Sequence, residues 1–227
     1  MATLTQPVAA DEREAQLGGR GPDIAPPPHR GGESGGPGFT ESDRLRRYRI
    51  GLAVGLAPVV MFFVAFTSAY IVRQGLGGDW RSTVLPPILW VNTVILLASS
   101  FTVEQARRRA VLVDVGRDGK DRGLPWLGVT LILGLGFLTG QWMAWGQLAA
   151  QGVYVSTNPS SSFLYLLTGS HALHLGGGIL ALLYAAAAFV FGRPAATRRI
   201  VVDVAAWYWH FMDALWIYIL ALLYFAG

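Results

Sequence analysis

Residues 162–191 read SFLYLLTGSHALHLGGGILALLYAAAAFVF. The run carries no lysine, arginine, aspartate or glutamate. It exceeds the roughly 20 apolar residues a helix needs to cross a hydrocarbon core of about 30 Å. Lipid offers no partner for an unpaired backbone group, so such a run must be helical. Four further runs of the same kind, about 50–72, 85–104, 125–149 and 202–226, predict an all-α bundle of five transmembrane helices. Composition agrees: of 227 residues 52% are hydrophobic and 14% charged, against about 25% charged in a soluble domain, and mean hydropathy is +0.41. Pro86 and Pro87 fall in the first turn of the second run, where a missing N–H costs little. Pro58 lies mid-span in the first, where it should kink the helix unless neighbours compensate.

The basic residues set an orientation. Arg44, Arg46, Arg47 and Arg49 precede the first run. Arg107, Arg108, Arg109, Arg117, Lys120 and Arg122 lie near or in the second connection, and Arg193, Arg198 and Arg199 in the fourth. The opposite side has only Arg73 and Arg81. The positive-inside rule then puts the amino terminus in the cytoplasm and the carboxyl terminus outside. The net charge of +4 and pI near 9.7 follow from topology, so no nucleic-acid partner is expected. The same arginines suit anionic lipid headgroups.

Residues 1–44 differ from the rest. Eight of 28 glycines and six of 12 prolines fall there with charges of mixed sign, a composition that cannot bury enough surface to order itself. They are expected to form a disordered, Gly/Pro-rich cytoplasmic tail on a membrane domain at 45–227. The tail lacks the continuous apolar core of a signal peptide. With no cysteine in the chain, disulfide scaffolds, zinc fingers, iron–sulfur clusters and cysteine nucleophiles are excluded. Gly-x-Ser-x-Gly, His-Glu-x-x-His and a phosphate loop are also missing. Five spans without an internal repeat speak against a secondary transporter.

The informative residues are those that cost free energy in lipid. His171 and His174 share one side of the fourth span, and Asp203, His210 and Asp213 project at nearly one angle from the fifth. Setting the two stripes against each other, with the aspartates accepting hydrogen bonds from the histidines, predicts a structural polar cluster of His171, His174, Asp203, His210 and Asp213. Two other readings of the same residues stay open: one b-type haem between the two helices, or a metal or proton site. Gly136 and Gly140, Gly51 and Gly55, and the run Gly176, Gly177 and Gly178 allow close helix packing.

At these residues a resemblance enters. Leu167-Thr-Gly-Ser-His-Ala-Leu-His-Leu-Gly-Gly-Gly178 and Ala206-Trp-Tyr-Trp-His-Phe-Met-Asp-Ala-Leu-Trp216 resemble the last two helices of subunit III of haem-copper cytochrome c oxidases. Leu85-Pro-Pro-Ile-Leu-Trp-Val-Asn-Thr-Val-Ile-Leu-Leu-Ala-Ser-Ser100 and Thr67-Ser-Ala-Tyr-Ile-Val-Arg73 are similar to earlier pieces of that family, in the same order, from about residue 45 onward. The resemblance implies a short five-helix bacterial form in the inner membrane that binds no redox cofactor and has no active site. It also implies catalytic subunit I and subunit II as partners, with haem and copper held by partner subunits. Cytochrome c or a c-type haem domain would be the electron donor, and phospholipid would be bound. A quinol oxidase or nitric oxide reductase accessory subunit and, from another class, a membrane b-haem electron carrier are the alternatives. One departure is plain: Leu56-Ala-Pro-Val-Val-Met-Phe-Phe63 lacks the buried glutamate many members carry there, so nothing assigned to that glutamate transfers.

Overall fold

A computed structural model describes residues 41–76, 78, 80, 85–113 and 123–225. They form five helices: α1 Glu41–Leu76, α2 Ile88–Val113, α3 Leu124–Ala150, α4 Pro159–Val190 and α5 Ala195–Phe225. Each is long and apolar enough to cross a membrane, and there is no strand among the described residues. The fold is an all-α polytopic bundle.

Three helices run well past the apolar stretches that announce them, at the start of α1, the end of α2 and the start of α5, whereas α3 and α4 match theirs closely. Most of the expected tail, residues 1–40, lies outside the described residues, but 41–44 open α1. Helix formation needs only backbone bonds and tolerates water at its ends, and Asp43 in the first turn complements the positive end of the helix dipole. Pro86 and Pro87 sit just before α2 instead of inside it. Their carbonyls accept from Leu89 N and Trp90 N, each at 3.1 Å. α1 continues through Pro58.

Local signals explain the other ends. Asn158 caps α4: its side chain accepts from Ser161 N at 2.8 Å, while Ser161 Oγ accepts from Asn158 N at 3.2 Å. Pro159 follows in the first turn, the position proline tolerates. α3 and α4 stop alike. Gly152 and Gly192 take φ of 75° and 60°. Gly152 N donates to Ala149 O (3.0 Å) and Val153 N to Leu148 O (2.9 Å); Gly192 N donates to Phe189 O (3.1 Å) and Arg193 N to Ala188 O (3.0 Å). Both are Schellman ends, which need a residue free to adopt positive φ.

α2, α3, α4 and α5 make a ring in which each touches the next and α5 returns to α2; among the described residues α1 meets only α4 and α5, from outside. The ring's interior holds Leu96, Val103, Leu127, Phe137, Leu175, Trp209 and Trp216. Only 6% of the most apolar window of α1 is buried, against 44% in α5. Hydrophobic burial does not drive helices together in lipid, so close packing and interhelical hydrogen bonds must.

Candidate functional site

The polar groups of the interior fall into layers along α5, which rises about 20 Å between residues 203 and 216 at roughly 1.5 Å per residue. The outermost layer is ionic. Asp203 Oδ2 accepts from Arg49 Nε at 2.8 Å and Oδ1 from Arg49 Nη2 at 2.7 Å, which is a bidentate pair between α1 and α5. Arg107 Nη1 of α2 reaches the same Oδ1 at 3.3 Å. Arg107 is itself held by Glu104, Nε to Oε2 at 2.7 Å and Nη2 to Oε1 at 2.9 Å, and Arg108 Nε adds a bond to Glu104 at 2.9 Å. Three helices thus meet at one carboxylate whose side chain is 8% exposed.

About two turns deeper along α5, Ser100 of α2 stands between two α5 groups. Its Oγ lies 3.0 Å from His210 Nδ1 and donates to Asp213 Oδ2. His210 Nε2 is 3.9 Å from Glu104 Oε2. Asp213 is buried, and its Oδ1 has no hydrogen-bond partner among the described residues. Beside this, Trp209 Nε1 donates to Ser99 Oγ at 2.8 Å, and the Thr102 and Thr130 hydroxyls meet at 2.8 Å across α2 and α3.

Deeper again, Trp216 Nε1 donates to Thr93 Oγ1 at 3.0 Å. His171 is completely buried here against Trp216 (ring centroids 5.2 Å) and Phe137 (5.9 Å), and neither ring nitrogen is bonded within the described residues. His174 takes another path: Nδ1 lies 2.7 Å from Ser170 O on its own helix, and its ring packs on Phe62 and Phe63 of α1.

The five residues expected to pair do not gather into one cluster. Asp203 is bonded by arginines and not by a histidine; His210 and Asp213 share Ser100; His171 and His174 stay apart from both aspartates. The expected pairing set α4 against α5, whereas the polar stripe of α5 faces α2. Arginine also competes better for a carboxylate, offering a planar fork of donors. Reading Arg49 and Arg107 only as topology signals missed their bonds. A signal was there: Thr93, Ser100, Glu104 and Arg107 recur at helical spacing on one side of α2. Among the described residues no three His, Asp or Glu side chains group as metal ligands.

The glycines divide as well. A Cβ on Gly140 would overlap the Asn92 amide, and one on Gly178 would lie 3.0 Å from Tyr208 Cε1 and 3.2 Å from Trp209 Cε3. On Gly177 it would meet Tyr208 Oη at 3.4 Å. Gly136, Gly176, Gly51 and Gly55 have nothing within 4 Å of that position. Gly134, not singled out by spacing, is tight: its Cβ would sit 2.7 Å from the Trp209 ring.

Comparison with known proteins points one way. The family described as Cytochrome c oxidase subunit III matches residues 46–227. The chain is 32% identical to a probable cytochrome c oxidase subunit 3 of Mycobacterium leprae and 34% identical to one of Nocardia farcinica, over 81% of this chain and 90% of each relative. It is also 29% identical, over 76% of this chain and 81% of the relative, to a cytochrome bo(3) ubiquinol oxidase subunit 3 of Pseudomonas aeruginosa.

Proposed function

The chain belongs to the cytochrome c oxidase subunit III family, and from that membership we propose that it docks on the catalytic subunit I and on subunit II of a bacterial respiratory oxidase and stabilises them without chemistry of its own. As subunit III of a haem-copper oxidase it is a multi-pass inner-membrane protein. The proposal adds that haem and copper reside in the partner subunits and that cytochrome c, or a c-type haem domain, feeds the complex. The observation that carries it is the family match along all five helices. The interior polar groups support it by bonding helix to helix: Asp203 to two arginines, Ser100 to His210 and Asp213, Trp209 to Ser99, Trp216 to Thr93.

We read His171, His174, Asp203, His210 and Asp213 as structural. Replacing His210 by leucine should therefore lower the amount of assembled complex more than the turnover of each complex that forms. The basic end, with Arg49, Arg107 and Arg199, faces the cytoplasm in this reading. The chain contains no cysteine, so single cysteines placed near residue 41 and residue 225 would report the two faces directly.

A bound anionic phospholipid is part of the proposal. A groove of about 540 Å³ between α1 and α5, walled by Leu52, Leu56, Val60, Trp207 and Phe211, opens beside Arg49. A second hollow of about 480 Å³ adds Arg46 and Arg199 at the membrane edge. Apolar walls below and guanidinium groups above suit acyl chains and a phosphate. Replacing Arg46 and Arg199 by glutamine should lower the anionic lipid that co-purifies; unchanged lipid content would remove this part.

The deciding experiment is purification of the tagged chain from its native membrane. Haem-bearing subunits should co-elute, and the separated chain should show no Soret band. Recovery without any oxidase subunit, or a Soret band lost with His210, would overturn the reading. The similarity to a ubiquinol oxidase subunit favours one second reading, in which quinol is the donor; oxidation of cytochrome c against quinol by the purified complex separates the two.

A further inference from the structure

We propose that Asp213 is a buried proton-accepting site loaded from the basic end of the bundle through His210 and Ser100. This goes beyond the stabilising role, which requires no proton to move.

One hydroxyl stands in contact with two titratable side chains. Ser100 Oγ contacts both His210 Nδ1 (3.0 Å) and Asp213 Oδ2. A hydroxyl has one proton to give, so it donates to only one of them at a time while accepting from the other. Two arrangements satisfy the same positions. In the first, His210 Nδ1–H donates to Ser100, and Ser100 donates to the Asp213 carboxylate. In the second, an Asp213 carboxyl O–H donates to Ser100, and Ser100 donates to a bare His210 Nδ1. They interconvert by a balanced step. A proton binds His210 Nε2, the Nδ1 proton passes to Ser100 Oγ, and the original hydroxyl proton passes to Asp213 Oδ2. One proton has moved from the outer face of the imidazole to the carboxyl group. The histidine is left as its Nε2–H tautomer, and no carbon bond is touched.

The surroundings give these three groups one open end. The His210 side chain is 42% exposed and borders the groove between α1 and α5. The charged groups around that end are Glu104 and Arg107 of α2, Asp203 of α5 and Arg49 of α1, all on the basic side. Asp213 is 4% exposed, and its Oδ1 is unpartnered among the described residues. Beyond it the interior closes with Trp216 on Thr93, and His171 and His174 of α4 bond to neither His210 nor Asp213. Among the described residues the geometry is that of a proton store with one mouth and no hydrogen-bonded exit on the far side.

Infrared difference spectroscopy of the intact oxidase complex during a pH jump tests this, with aspartate carboxyl carbons isotopically labelled. The wild type should show an aspartic-acid C=O band that titrates, shifts in heavy water and vanishes in D213N. In S100A the exchange of that band should be slower by roughly 100-fold, the low end of what a positioned proton-transfer group supplies; S100T, which keeps the hydroxyl, should restore it. If D213N does not assemble, the labelled S100A and S100T complexes still decide. A spectrum without a titrating aspartic-acid band, or S100A exchanging at the wild-type rate, overturns the proposal.

Discussion

Asp203 collects hydrogen bonds from arginines on two other helices, so removing its charge takes from Arg49 the carboxylate it grips and leaves Arg107 with Glu104 alone. Breaking one partner of a fully buried pair costs about 3–5 kcal/mol. Here the arginine side chains are 43% and 32% exposed, and solvent screening lowers the figure. Asp203→Asn should destabilise by about 1–3 kcal/mol, and Arg49→Gln by about 1 kcal/mol or less, because Arg107 still answers the carboxylate; thermal melts of the purified complex would show the order. The glycines make a sharper contrast. Gly140→Ala forces a methyl group into the Asn92 amide and should cost about 1–3 kcal/mol as an overpacking change. Gly136→Ala should stay within about 0.5 kcal/mol, although the two stand one helical turn apart and look alike in sequence. Equal effects in those melts would show that small size at Gly140 is not what lets α2 approach α3.

At the level of elements, where helices stop depends on a few residues that were visible from the start but were outweighed by hydropathy. Asn158 followed by Pro159, and Gly152 and Gly192 just past their helices, are ordinary end signals; the apolar stretches alone came within one residue of where α3 and α4 end and three residues late at the start of α4. Asn158→Ala removes a reciprocal cap and should cost about 1 kcal/mol. Gly192→Ala puts a side chain into left-handed backbone and should cost about 1–2 kcal/mol. Both are read from thermal melts of the complex. The Asn158 change should also speed amide exchange in the first turn of α4 while leaving α5 unaffected.

For the whole molecule, α1 is the exception. It lies outside the ring and shows most of its apolar surface, with Val54, Met61 and Ile71 more than half exposed. Its polar ties to α5 include Arg49 to Asp203 at the basic end and Tyr218 Oη to Thr67 Oγ1 (2.9 Å) near the other. Removing both, as Arg49→Gln with Tyr218→Phe, should loosen α1 before any other helix. Faster proteolysis or cysteine labelling along α1, with unchanged reactivity in α3, would report it; loss spread evenly over all five helices would count against a separately held α1.

Much of this protein was settled by the sequence alone. Helices in lipid bond within themselves, so long apolar runs were enough for the number of spans, and quoted motifs on four of them were enough for the family resemblance. The costly residues were also legible one by one, since a histidine or aspartate in such a run stands out. Their partners were not. Which face of α5 meets α2, that Asp203 answers Arg49 and Arg107, that Ser100 stands between His210 and Asp213, and which glycines are pressed against a neighbour are relations between helices far apart in the chain. Only the packed bundle decides them, because a hydrogen bond or a close contact exists only where two surfaces have already been brought together.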